Sequence, residues 1–148
     1  MKRRTLSLVI AALALAVAVP VAVAATQDMM LPVTVDGMHP AKEAKTNIGK
    51  VVTTPTKLGL YYWDVEKKAG GKIRCKGTCL TQWPPVYVKG DVAKHVNGVM
   101  ATFGTVKRGA KRQLTVNGLP AYVFEGDKAG VVKCDGVDGG HAVRPMGG

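Results

Sequence analysis

One ten-residue pattern occurs twice. Leu58-Gly-Leu-Tyr61-Tyr-Trp63-Asp-Val-Glu66-Lys67 can be set against Leu119-Pro-Ala-Tyr122-Val-Phe124-Glu-Gly-Asp127-Lys128, at an offset of 61 residues. Tyrosine, aromatic, acid and lysine recur in the same order. Self-similarity at a fixed offset means that one supersecondary unit is built twice. Without its first 24 residues the chain keeps about 124, enough for one core and too few for two independent ones. The two units are therefore expected to pack together as one small, mainly β domain.

The strand signals fit that class. Ile48 to Thr54 is β-branched between Gly49 and Pro55, and Leu60 to Val65 follows the Lys57-Leu58-Gly59 turn. Alternation places Tyr61 and Trp63 on one face and Leu60, Tyr62 and Asp64 on the other. Glu66 to Lys72 reads as a hairpin tip ending in Gly70-Gly71. Further strands are expected at Val86–Lys89, Met100–Lys107, Gln113–Val116 and Leu119–Glu125, with Asn117-Gly118 as a tight turn. Between them, Thr78 is placed to cap one short helical turn from Cys79 to Trp83, which Pro84 and Pro85 end. Trp83 is expected to be a buried core anchor.

The first residues read as a targeting segment. Lys2, Arg3 and Arg4 precede an apolar run from Leu6 to Ala24, and Ala22-Val23-Ala24 has the small-x-small form of a cleavage site. The expected division is a signal-peptide helix at 1–24, a flexible segment at 25–47 and the two-repeat β domain at 48–148. A membrane contact is expected only through an uncleaved signal segment, since the run of about 19 apolar residues approaches a bilayer span. The expected location is periplasmic or extracellular.

The chain resembles the family of secreted repeats of unknown function, predicted lipoproteins with a Yx(FWY)xxD motif. Tyr122-Val-Phe124-Glu-Gly-Asp127 carries the motif, and Tyr61-Tyr-Trp63-Asp-Val-Glu66 carries it with Glu66 in place of aspartate. Cys75-Lys-Gly-Thr-Cys79-Leu-Thr-Gln-Trp83-Pro84-Pro85 is similar to the family's Cys-to-Trp-Pro-Pro run. Val116-Asn-Gly-Leu-Pro-Ala-Tyr122 is similar to its Tyr-Asn-Gly-x-Pro-Leu-Tyr segment. The resemblance spans roughly residues 48 to 145 and implies an exported protein, with no activity attached. The lipobox cysteine common in the family is absent after the apolar run.

Three cysteines in an oxidising compartment cannot all pair within one chain. A Cys75–Cys79 disulfide around Gly77 leaves Cys134 free. Pairing of Cys134 with either one closes a long loop instead. Metal ligation draws on Cys134, His141, His39 and Met38, with Met29 and Met30 nearby in sequence, and copper or zinc would be the ion. The default expectation is no cofactor. Asp64, Glu66, Glu125 and Asp127 are read as hairpin-tip acids in exposed ion pairs with Lys67, Lys68 and Lys128.

No Ser-His-Asp context, phosphate-cradling glycine loop or HExxH motif is found, so the protein is read as a non-enzyme. With residues 1–24 removed, 18 Lys and Arg stand against 10 Asp and Glu, a formal +8. That balance points to an anionic envelope component as partner, and away from nucleic acid, for which no motif is present. The expected function is a binding or structural module of the cell envelope. The alternative is a periplasmic redox or metal-handling protein, in copper or electron transfer, that uses its cysteines.

Overall fold

The computed structural model describes residues 32–146. The signal-peptide helix expected at 1–24, and Met29 and Met30, lie outside these residues. The described chain is mainly β. A short strand β1 (Thr34–Asp36) is followed by β2 (Lys42–Thr46), β3 (Gly49–Thr53) and β4 (Tyr61–Trp63). Two helical turns follow, α1 (Asp64–Lys68) and α2 (Cys79–Gln82), then β5 (Tyr87–Lys89). The second half holds β6 (Phe103–Arg108), β7 (Lys111–Val116), β8 (Leu119–Pro120) and β9 (Gly140–Ala142). Among the described residues no helix is long and apolar enough to cross a membrane.

Each repeat opens with a hairpin. In β2–β3, Thr46 pairs with Gly49 at the tip, and in β6–β7 Arg108 pairs with Lys111. The next segment folds back on the second hairpin strand. In the second repeat this return is made by Asn117-Gly118, at φ 52° and 81°. Both values are positive, as a two-residue hairpin turn requires, and asparagine and glycine tolerate them best.

The two repeats are then joined by an exchange of their last strands. Val52 N–H donates to Val143 O at 2.8 Å, Val143 N–H to Leu60 O at 2.8 Å, and Leu60 N–H to Val52 O at 3.0 Å. The same triangle recurs as Leu114 to Val86 (2.7 Å), Val86 to Ala121 (3.1 Å) and Ala121 to Leu114 (2.9 Å). Val143 ends the second repeat yet completes the first repeat's triangle, and Val86 does the converse. At the centre Tyr61 and Tyr122 exchange both backbone hydrogen bonds, at 2.9 and 3.0 Å. The molecule therefore has a pseudo-twofold relation running between these two tyrosines.

All six triangle residues are buried in one apolar cluster with Val35, Val88, Phe103 and Val116. A second cluster contains Val51, Tyr61, Cys75, Trp83, Tyr122 and Val132. Tyr61 and Trp63 pack with this second cluster and Leu60 and Tyr62 with the first, as strand alternation requires.

Three expectations are corrected. The described part of segment 25–47 is not a loose tail. Its β1 pairs in parallel with β5, and its β2 pairs with β3 over five residues. For β1 the partner is distant in sequence, whereas β2 closes a hairpin with β3 through the two residues Asn47-Ile48. The stretch after Trp63 is a helical turn where a hairpin tip was expected. Asp64-Val-Glu-Lys-Lys has acids in its first turn and lysines in its last, which suits the helix dipole. Gly70 and Gly71, both at positive φ, follow the turn. The strand expected over Leu119–Glu125 is regular only at Leu119–Pro120, because Tyr122 turns to pair with both Tyr61 and Pro85. The helix at Cys79–Gln82 forms where expected, although Thr78 makes no side-chain cap bond.

Since each repeat is completed by the other's final strand, neither half is expected to fold alone. Fragments 32–90 and 91–146, made separately, should show unfolded amide spectra and recover native dispersion on mixing. A native spectrum from either fragment alone would contradict the exchange of strands.

Candidate functional site

The motif residues meet at the pseudo-twofold centre, and they meet crosswise. The Tyr61 hydroxyl donates to Asp127 Oδ2 at 2.7 Å, and the Tyr122 hydroxyl donates to Glu66 Oε1 at 2.7 Å. Each repeat's tyrosine thus bonds the other repeat's acid. Tyr61, Tyr122 and Glu66 are fully buried and Asp127 is 4% exposed. Glu66 and Asp127 are therefore not exposed tip acids in weak ion pairs. The helical turn α1 carries Glu66 inward, and the bend after Phe124, closed by Asp127 N–H to Phe124 O at 3.1 Å, does the same for Asp127.

A buried carboxylate needs donors to replace water. Glu66 Oε1 accepts backbone N–H groups of Arg74 at 2.7 Å and Cys75 at 3.1 Å. Asp127 Oδ1 accepts the N–H of Lys133 at 2.9 Å. Each motif acid thus holds the loop that leads into a cysteine, and Cys134 is the second repeat's counterpart of Cys75. The other carboxylate oxygen of Glu66, Oε2, has no partner among the described residues, nor does the indole nitrogen of Trp63. Burial raises the pKa of Asp127, partly offset by the Tyr61 hydrogen bond. Burial, then the bond to a carboxylate, raises the pKa of both tyrosines, so each keeps its proton and remains the donor.

The motif aromatics close over this polar centre. Trp83 is 2% exposed and takes Tyr61 edge-on at 5.2 Å, Trp63 edge-on at 5.5 Å and Phe124 at a tilt at 5.1 Å. The triangle register makes Gly140 the second repeat's equivalent of Trp83. A Cβ at Gly140 would lie 2.6 Å from the Trp83 ring, so one tryptophan fills the space of two.

Two residues outside the motif complete the clasp. Arg108 at the tip of β6 donates to the Tyr122 hydroxyl (2.9 Å), Gln113 Oε1 (2.7 Å) and Cys75 O (2.9 Å). At the other hairpin tip, Asn47 makes two bonds to the Val132 backbone, 2.7 and 2.9 Å. Sequence reasoning missed both. Arg108 looks like half of a basic surface pair, and only the alignment of the two hairpin tips reveals its position.

The cysteines resolve as a Cys75–Cys79 disulfide with Cys134 free. Burial, and then the charges of Asp127 and Asp138, raise the Cys134 thiol pKa, which disfavours the reactive thiolate. The Cys134 loop is pinned instead by Asp135, which accepts from Ala142 N–H at 2.9 Å and from Arg144 at 2.7 Å.

The remaining candidate ligands are dispersed. Met38 and His39 are exposed beside Asp36, with His39 at 3.6 Å from its carboxylate. His141 bonds Asp64 at 3.0 Å and stacks on Tyr62. Among the described residues no three His, Cys, Asp or Glu side chains are grouped to hold a metal ion.

Removing the Tyr122 hydroxyl leaves Glu66 and Arg108 each short of a buried partner. Tyr122→Phe and Tyr61→Phe are each expected to cost about 2 kcal/mol in urea unfolding, with the fold retained. A loss within experimental error of zero for both would contradict the arrangement. Asp127 binds its proton more tightly folded than unfolded. Its effect on stability is absent below about pH 3.8, where both states are protonated, and becomes unfavourable as pH rises through the folded value. The stability difference, wild type minus Asp127→Asn, should therefore fall as pH rises from 3 towards neutrality. A constant or rising difference would exclude the raised pKa.

The family model described as a secreted repeat of unknown function matches residues 42–87. That stretch runs from the start of β2 to the start of β5, which is one complete repeat. The comparison with curated proteins finds no match, and neither does the comparison with solved structures.

Proposed function

We propose that this exported protein is a non-enzymatic module of the cell envelope that binds an anionic component through its surface. One observation carries the reading: the repeated motif turns its reactive groups inward. Its tyrosine hydroxyls and the carboxylates of Glu66 and Asp127 are buried and committed to each other across the repeats. The grooves at the surface, beside β1 and beside Tyr62, are lined by other residues.

This inward commitment of acids shapes the exterior. Two carboxylates are buried and three more are half-buried, so 16 Lys and Arg but only 4 Asp and Glu are exposed among the described residues. Three exposed cations, Lys107, Lys111 and Arg112, lie together at the β6–β7 tip, where Lys107 is directly opposite Arg112. Like charges at directly opposed strand positions are unfavourable, so this pairing costs stability that a bound anion would return. Lys111 also rests over the Tyr87 ring at 4.7 Å, and Lys89 extends from the neighbouring strand.

The alternative redox or metal-handling role has less support, because the free thiol is disfavoured as thiolate and the candidate ligands are far apart in the fold. Retention on immobilised polyphosphate, and on vesicles of anionic phospholipid, is expected at low salt and should fall steeply as salt rises. Lys107→Glu with Arg112→Glu should reduce it severalfold without loss of stability. Absence of retention at low salt would overturn the proposal.

A further inference from the structure

The pseudo-twofold relation shows one place where the halves differ by an entire strand. In the first half, β1 lies along β5. Tyr87 N–H donates to Val33 O at 2.8 Å and Gly37 N–H to Lys89 O at 2.9 Å. Val33 packs onto the apolar core beside Leu58, and β1 borders the Thr54-Pro55-Thr56 turn. The strand therefore lies between that turn and Tyr87–Lys89, with a groove of about 310 Å³ left against the turn.

The triangle register gives the counterpart in the second half. Thr54 and Pro55 correspond to Val116 and Asn117, Leu58 to Leu119, and Val86–Tyr87 to Val143–Arg144. There the groove has a volume of about 290 Å³ and is lined by Val116, Asn117, Leu119, Val143 and Arg144, with Tyr62 and Lys67 forming the far wall. The backbone N–H of Arg144 corresponds to that of Tyr87, and it has no hydrogen-bond partner among the described residues. Two residues on, Met146 N–H donates to Met100 O at 2.7 Å, which limits the free edge to a short stretch.

We propose that this groove is a docking site for a short, extended, acidic peptide segment of a partner protein. The segment would pair with Arg144 as β1 pairs with Tyr87, and end before Met146, whose N–H is taken by Met100 O. The backbone N–H of Arg144 gives it a hydrogen bond, and Leu119 and Val143 give it an apolar floor. Its charge follows from the rim. Lys67 stands over the Tyr62 ring at 5.6 Å and is the cation of the lining with no carboxylate partner among the described residues, the Arg144 guanidinium being held by Asp135 at 2.7 Å. No carboxylate lines the groove. This site is distinct from the basic β6–β7 tip, so it stands or falls separately from the polyanion reading.

The probe is a capped peptide reproducing residues 32–37, which pair along Tyr87–Lys89 in the first half, together with a Thr34→Glu version. Backbone amide shifts of the whole protein are followed during titration. Saturable shifts are expected at Tyr62, Leu119 and Arg144, with the acidic peptide binding more tightly. Lys67→Glu should weaken that peptide about two- to fivefold, as loss of an exposed ion pair does. Leu119→Lys should abolish the shifts while the rest of the spectrum is unchanged. Shifts confined to Tyr87–Lys89 would mean that the peptide only displaces β1, and would overturn the proposal. So would the absence of any saturable shift at millimolar peptide.

Discussion

Two hydrogen bonds, Tyr61 to Asp127 and Tyr122 to Glu66, tie the structure together because each crosses from one repeat to the other. A buried carboxylate left unpaired is strongly destabilising, so a lone repeat could not keep its acid inside. Placing the second repeat against the first supplies the missing donor in both directions at once. The backbone bonds between Tyr61 and Tyr122 fix the register in which this happens. The exchanged strands at Val86 and Val143 close the apolar core around the same axis. Polar satisfaction and hydrophobic burial therefore demand the same partner, which is how two short units form one domain.

The halves are alike in register and unlike in detail, and the differences have physical reasons. Arg108 can reach Tyr122, Gln113 and the Cys75 carbonyl together, whereas Asn47 on the shorter clasp reaches only the Val132 backbone. A disulfide closes one cysteine loop, and the Asp135 side chain pins the other. Trp83 takes the space that a tryptophan at the position of Gly140 would need. β1 pairs with Tyr87–Lys89, and among the described residues no strand pairs with the counterpart at Arg144. The motif's own polar groups are consumed by assembly, and these asymmetries and the exposed cations are what the surface presents.

Much of the fold was legible locally. The hairpin turn at Asn117-Gly118, the faces of Tyr61 and Leu60, the helical turn at Cys79 and the burial of Trp83 all follow from residue type and period. The repeat itself was legible from Tyr61 and Tyr122 with their matching acids. What was not legible is the crossing. Nothing adjacent to Glu66 or Asp127 in sequence distinguishes a tip acid beside lysines from one that turns inward towards a tyrosine 56 or 66 residues away. The same holds for Thr34–Asp36, which is a strand only because β5 is beside it. Non-local pairing leaves no local period, so β1 and the roles of Arg108 and Asn47 were missed for one reason, whereas Lys42–Thr46 was missed although its hairpin partner β3 begins three residues on.

The central claim is the crossing of the two motifs, and double-mutant cycles test it most directly. Tyr61→Phe with Asp127→Asn, and Tyr122→Phe with Glu66→Gln, should each show a coupling of about 1 kcal/mol or more in urea unfolding. The within-repeat combinations, Tyr61→Phe with Glu66→Gln and Tyr122→Phe with Asp127→Asn, should be additive within about 0.5 kcal/mol. Coupling within the repeats, with additivity across them, would contradict the account.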